Sequence, residues 1–262
     1  MKLIKRFILV AIWVFIGLTG LPPAIHAEQS PAAHLEPNLI LMGASYNGTH
    51  VSLSGEAPRD ADVLVRLSGE TANDTFLEKG RVLGILWMNK EAITFHHIPR
   101  IYQIYSPASI TGSDLVEDVT WQKLGIGFNA LKNEATLTPE KADMDLQFSE
   151  FLKLKTEQGL YGVHENAVAY QNTTDGRKSF HAELAVPCAI PQGTYTVTTF
   201  IVKDGKILQT DNQALKIKET GLPAVISSLA FHHGILYGIL ATVIAIAAGL
   251  LTGLFFKESG SH

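Results

Sequence analysis

GTYTVTTFIVKDGKILQTDNQALKIK, residues 193–218, decides the fold. Tyr195 and Val197 alternate with Thr194, Thr196 and Thr198. A period of two puts apolar side chains on one face of a strand and hydroxyls on the other. Lys203-Asp204-Gly205-Lys206 then supplies a hairpin turn, because Asp-Gly accepts the positive φ angles whose twist matches that of paired strands. Beyond the turn Leu215 and Ile217 face one way, Lys216 and Lys218 the other. Strands apolar on one face need a second layer to cover them.

Outward from the hairpin the same pattern recurs. Phe180, Ala182, Leu184 and Val186 alternate with His181, Glu183 and Ala185, and near the start Leu39 and Leu41, Val51 and Leu53, and Val63, Val65 and Leu67 fall on alternate positions. Tyr46-Asn47-Gly48-Thr49 and Glu56-Ala57-Pro58-Arg59-Asp60 separate them as turns. Arg81 to Met88, with Trp87, reads as a longer apolar strand, followed by Phe95, Tyr102 and Tyr105 around Pro99. The middle changes period. Leu115 to Leu131 reads as helical in part, and Thr138-Pro139-Glu140 as a helix start that runs through Leu146, Phe148, Phe151, Leu152 and Lys155 to a stop at Gly159. Short strands, turns between them and no βαβ alternation predict a mainly β protein: an antiparallel immunoglobulin-like sandwich with a helical insertion at about residues 112–159.

The two ends place this domain. Ile235 to Phe256 carries no charge, and at roughly 1.5 Å per residue it is long enough to cross the roughly 30 Å hydrocarbon layer of a bilayer. At the other end Lys2, Lys5 and Arg6 precede an apolar run from Phe7 to Leu18, and Pro22-Pro23 leads to Ala27. That is the three-part pattern of a secretory signal, with cleavage expected after Ala27. The expected organisation is a signal peptide at 1–27, an extracytoplasmic domain at 28–220, a juxtamembrane segment at 221–233, a transmembrane helix at 234–256 and a cytoplasmic tail at 257–262. The expected location is the bacterial cytoplasmic membrane, single-pass, with the main domain periplasmic. Lys216, Lys218 and Lys257 flank the span too evenly to set this orientation, so the signal segment carries it.

Composition narrows the classes of function. Residues 1–27 hold three of the 21 basic residues and none of the 25 acidic ones, which leaves the exported part clearly acidic. Such a domain has no electrostatic reason to bind nucleic acid. Cys188 is the single cysteine and excludes an internal disulfide; its apolar surroundings, Ala185 to Pro191, read as those of a buried, inert thiol.

Catalytic signatures are missing from the sequence: it has no P-loop, no Gly-x-Ser-x-Gly elbow and no dinucleotide fingerprint after a strand. The expectation is a protein that is not an enzyme and takes no cofactor. Among ten histidines, His96-His97 and His232-His233 are adjacent pairs, which in extended structure point to opposite faces and do not share a metal. His96, His97 and His164 read as satisfied or solvated, and His232 and His233 as an interfacial anchor. Asn47-Gly48-Thr49, Asn73-Asp74-Thr75 and Asn172-Thr173-Thr174 read as polar turns, and Trp87, Tyr102 and Tyr105 as core aromatics more readily than as a ligand groove. The span is richer. Gly234 and Gly238, then Gly249 and Gly253, form two Gly-x-x-x-Gly pairs, with Thr242 and Ala245 between them on nearly the same face. Small residues in a stripe let another helix approach closely inside a membrane.

SYNGTHVSLSGEAP (45–58), DVLVRLSG (62–69), KGRVLGILWMN (79–89), IPRIYQIYSP (98–107), PQGTYTVTTFIVKDGKIL (191–208) and FHHGILYGILATVIAIAAGLLTGLFF (231–256) together resemble an uncharacterised bacterial family of alphaproteobacterial-type transmembrane proteins. The resemblance implies an exported β-rich domain with one C-terminal span. It also implies a neighbourhood with sulfite-exporter-like permeases, hence a partner rather than a reaction, and it supplies no catalytic residues. The expected function is that of a membrane-anchored accessory or interaction protein. Its partner would be an integral-membrane protein such as that permease, or a second copy of the span, within the lipid bilayer. The alternative is a tethered binding module for a small envelope ligand.

Overall fold

The computed structural model describes residues 33–82, 86–112, 115, 119–172 and 176–257. The expected signal peptide and most of the expected tail lie outside these residues.

Two sheets share one core. The first has the order β1-β3-β11-β10, from β1 (Ala33–Glu36), β3 (Thr49–Pro58), β10 (Val168–Asn172) and β11 (Arg177–Val186), and every pairing in it is antiparallel. The second runs β2-β13-β12-β4-β7-β9, from β2 (Leu39–Met42), β4 (Asp62–Ser68), β7 (Tyr102–Tyr105), β9 (Tyr161–His164), β12 (Gly193–Lys203) and β13 (Lys206–Glu219). Its central pairs are antiparallel and its two edge pairs, β2 with β13 and β7 with β9, are parallel.

The alternating residues supply the core. Val51, Leu53, Ala57 and Leu184 of the first sheet and Val63, Val65, Leu67, Val197 and Leu215 of the second are all fully buried, at 0 % exposure. Each buried Val or Leu among them contributes about 1.5–3 kcal/mol relative to exposure. Two tyrosine hydroxyls tie the layers together. Tyr170 on β10 accepts from the Val63 N–H on β4 at 2.8 Å, and Tyr105 on β7 accepts from the Ala185 N–H on β11 at 2.9 Å. The 193–218 stretch forms β12 and β13 around Asp204 and Gly205, both at positive φ (50° and 70°) as the hairpin turn requires.

Between β4 and β7 the chain leaves the two sheets for a long hairpin, β5 (Thr71–Val82) with β6 (Leu86–Pro99). β6 is paired on its far side by β8 (Thr136–Thr138). Among the described residues, the helices α1 (Val119–Lys123), α2 (Phe128–Glu134) and α3 (Met144–Glu157) follow β7. α3 lies on the hairpin through Phe148 and Phe151, which meet Phe76 and Phe95 edge-to-face or tilted, with ring centroids 4.8–6.2 Å apart. After β13 come α4 (Leu222–His232) and α5 (Gly234–Lys257).

Several local expectations are corrected. Arg81 to Met88 is not one strand: Val82 pairs with Leu86, so the chain reverses within that run. Leu39 and Leu41 face outward and Ile40 and Met42 inward. The cause is the parallel register of β2 on β13, which sets Leu39 beside Lys216 and Leu41 beside Lys218, on the face opposite the buried Ile217. Thr138-Pro139-Glu140 does not start a helix. Thr138 ends β8, where Leu137 pairs with Phe95, and α3 begins six residues later under Asp143, whose carboxylate accepts from the N–H groups of Asp145 and Leu146. Asn73-Asp74-Thr75 lies within β5 rather than in a turn. Cys188 is exposed, because the turn closed by the Ile190 N–H on the Pro187 carbonyl tucks Ile190 into the core and leaves Cys188 outside.

Candidate functional site

α5 is 24 residues of mostly Ile, Leu and Ala, and no residue of its apolar stretch Gly234–Leu254 is buried by protein. Twenty-one residues at roughly 1.5 Å each give about 32 Å, the thickness of a bilayer core. Gly234, Gly238, Thr242, Ala245, Gly249 and Gly253 all lie on this helix, and steps of about 100° keep them within an arc of roughly 100°. A Cβ placed on any of the four glycines would meet nothing within 4 Å, so the backbone there is open to close approach. Ile235, Ile239 and Val243 wall a shallow groove whose floor is Gly234, Gly238 and Thr242. The Thr242 hydroxyl donates to the Gly238 carbonyl at 2.9 Å, which satisfies it within the helix.

α4 precedes this span by one residue. Gly221, at φ 66°, starts it, Pro223 occupies its first turn, and His233 breaks it from α5. None of its residues is buried, although Leu222, Val225, Ile226 and Phe231 are apolar. Nothing in the two sheets covers this helix.

A second feature lies between α3 and the β5–β6 hairpin, a groove of about 580 Å³. Its floor is Ile93, Phe95 and Phe151, and exposed Leu146 and Leu154 of α3 overhang it. Beneath one end Lys155, almost fully buried, places its ammonium 2.5 Å from the Asp74 carboxylate and 5.6 Å from the centres of both Phe76 and Phe151. That ion pair anchors α3 to β5.

The histidines do not converge. His34 pairs with Glu36, His181 with Glu183 and His96 with Thr138, each across 2.9–3.0 Å, and among the described residues no group of three metal-ligating side chains forms. His164 differs: its ring stacks on Tyr105 at 4.5 Å, its Nε2 is buried without a partner, and burial lowers its pKa. Tyr102 and Tyr105 are core residues, with hydroxyl pKa values raised by burial, and the Tyr105 hydroxyl donates to Gln103. The side chain of Trp87 lies outside the described ones. The groove is the site that sequence reasoning missed; Leu146 and Leu154, two leucines of α3 that the core does not take up, were its signal.

The profile of the family described as "Putative transmembrane protein (Alph_Pro_TM)" matches residues 32–258. No curated protein matches the chain.

Proposed function

Because this chain belongs to the transmembrane-protein family whose profile runs from residue 32 to 258, we propose that it is a single-pass accessory protein that packs against an integral-membrane partner through α5. In this reading residues 1–27 direct export and are removed. The two-sheet domain, of immunoglobulin-like type, stands on the periplasmic side of the cytoplasmic membrane, with the tail after α5 in the cytoplasm. The first strand divided between the two sheets, with β2 parallel to the last strand, supports the immunoglobulin-like assignment.

The observation that carries the proposal is the open small-residue face from Gly234 to Gly253. A helix that only anchors meets lipid equally well with Leu on every side, whereas van der Waals contact between close backbones drives association where there is no hydrophobic difference. The resemblance to proteins encoded beside sulfite-exporter-like permeases makes such a permease the first partner to test. The protein acts by contact, with neither catalysis nor a cofactor.

Replacing Gly238 and Gly249 together by Leu keeps the helix apolar but fills the stripe. A stoichiometric multi-span protein is expected to co-purify with the unaltered chain in mild detergent and to be lost from this variant. An unchanged set of co-purifying membrane proteins rejects the proposal. The binding-module alternative has its own observation, the groove beside α3.

A further inference from the structure

We infer that the groove between α3 and β5 is a receptor for an extended segment of a partner protein, which adds as a fourth strand to the open edge of β5 and presents basic side chains at both ends of an apolar centre. The inference is independent of what α5 packs against.

The backbone comes first. In the sheet β5-β6-β8, β5 is the outer strand, paired on one side only among the described residues. Such an edge carries a row of N–H and C=O groups that a further strand can pair. Natural edges are commonly shielded, and twelve residues is long for one left open. Three consecutive residues of β5, Phe76, Leu77 and Glu78, line the groove, which places it along the strand's edge. α3 forms the facing wall, so the slot is bounded by a strand on one side and a helix on the other. An extended chain fits that shape better than a helix does, because it alone can use the edge.

Side chains then define the occupant. The floor of Ile93, Phe95 and Phe151, with Leu146 and Leu154 above it, takes an apolar residue. Leu77, Leu146 and Leu154 are 57 %, 56 % and 37 % exposed and lie together along this one groove. The rim is acidic: Glu78, Glu150 and Glu157 line the groove against one cation, Lys153. Lys155 does not offset this, since it is already committed to Asp74. Complementary charge therefore calls for Lys or Arg flanking the apolar residues, and it disfavours a second copy of the same acidic edge.

The test uses the full chain in detergent micelles and a fluorescent heptapeptide, Lys-Thr-Leu-Thr-Leu-Thr-Lys, which in extended form sets Lys, Leu, Leu and Lys on one face. Saturable binding by anisotropy is expected. Exchanging both Lys for Glu should weaken it about tenfold or more, and so should N-methylation of the peptide backbone, which removes strand pairing. The double substitution Glu150→Lys and Glu157→Lys should reverse the preference towards the Glu peptide. Hydrogen exchange at Phe76–Glu78 should slow on binding. Absence of saturable binding, equal binding of the N-methylated peptide, or indifference to its charge overturns the inference. So does a concentration-dependent dimer that protects the same amides without peptide. The comparison of the Lys, Glu and N-methylated peptides on the unaltered chain stands even where the variant misfolds.

Discussion

Lys155 does two jobs: it pairs with Asp74, and its ammonium lies over the rings of Phe76 and Phe151, 5.6 Å from each centre. Lys155→Met keeps the stem and removes the charge. It leaves Asp74 unpaired, but that carboxylate is 34 % exposed and water relieves it, so the cost falls below the ~3–5 kcal/mol of a fully buried pair, at about 2 kcal/mol in denaturant unfolding of the full chain. His164 makes a pH-dependent contribution. Burial lowers its pKa in the folded protein below the ordinary 6.5, so the unfolded chain takes up the proton first. Stability from this group is complete above pH 6.5 and is lost as pH falls towards the folded value. His164→Phe, which keeps the stack on Tyr105, should therefore gain in Tm relative to the parent as pH drops from about 7 to 5; a constant difference would contradict this. Residue-scale features such as these were poorly legible in the sequence. Cys188 read as buried from its apolar neighbours, yet exposure was set by one turn hydrogen bond, from Ile190 to Pro187, that composition does not encode.

Elements were more legible where a local pattern met no competing partner. β11 and β13 follow their alternation, β12 follows it from Thr194 to Val197 before Thr198 to Val202 become buried on both faces, and the Asp204-Gly205 turn follows its chemistry, since hairpin pairing is decided within a few residues. β2 inverted because its face was set by a strand about 175 residues away in sequence, through a parallel register that its own Leu-Ile-Leu-Met cannot announce. The strand β8 was hidden for the same reason, as Thr136–Thr138 gains its strand character from β6. α4 is the element whose apolar residues the fold leaves uncovered, and its separation from α5 by His233 fixes its surroundings. An apolar helix joined so closely to a span settles into the membrane interface, roughly 5–10 Å into the headgroup region. A fluorophore on a cysteine at Phe231, with Cys188 replaced by Ser, should be quenched more by lipids carrying a quencher near the headgroup than by those carrying it at mid-chain. Quenching by aqueous reagents alone would mean that α4 stands clear of the bilayer.

At the scale of the whole molecule, the chain combines a two-sheet domain with a buried core, a hairpin-and-helix insertion that carries a groove, and an apolar helix that none of the described residues buries. The domain and the span were legible because burial periodicity and length are properties of sequence. The groove was not, because it exists only where an inserted hairpin meets a helix some 70 residues later. Two surfaces follow, one facing lipid and one facing water, and the account rests mainly on the first. A photo-crosslinking residue placed singly at each position from 234 to 253 in cells tests it most directly. The account predicts that Gly234, Gly238, Thr242, Ala245, Gly249 and Gly253 capture one discrete membrane protein while the positions opposite capture only lipid. An even pattern around α5, or capture of lipid at every position, would contradict it.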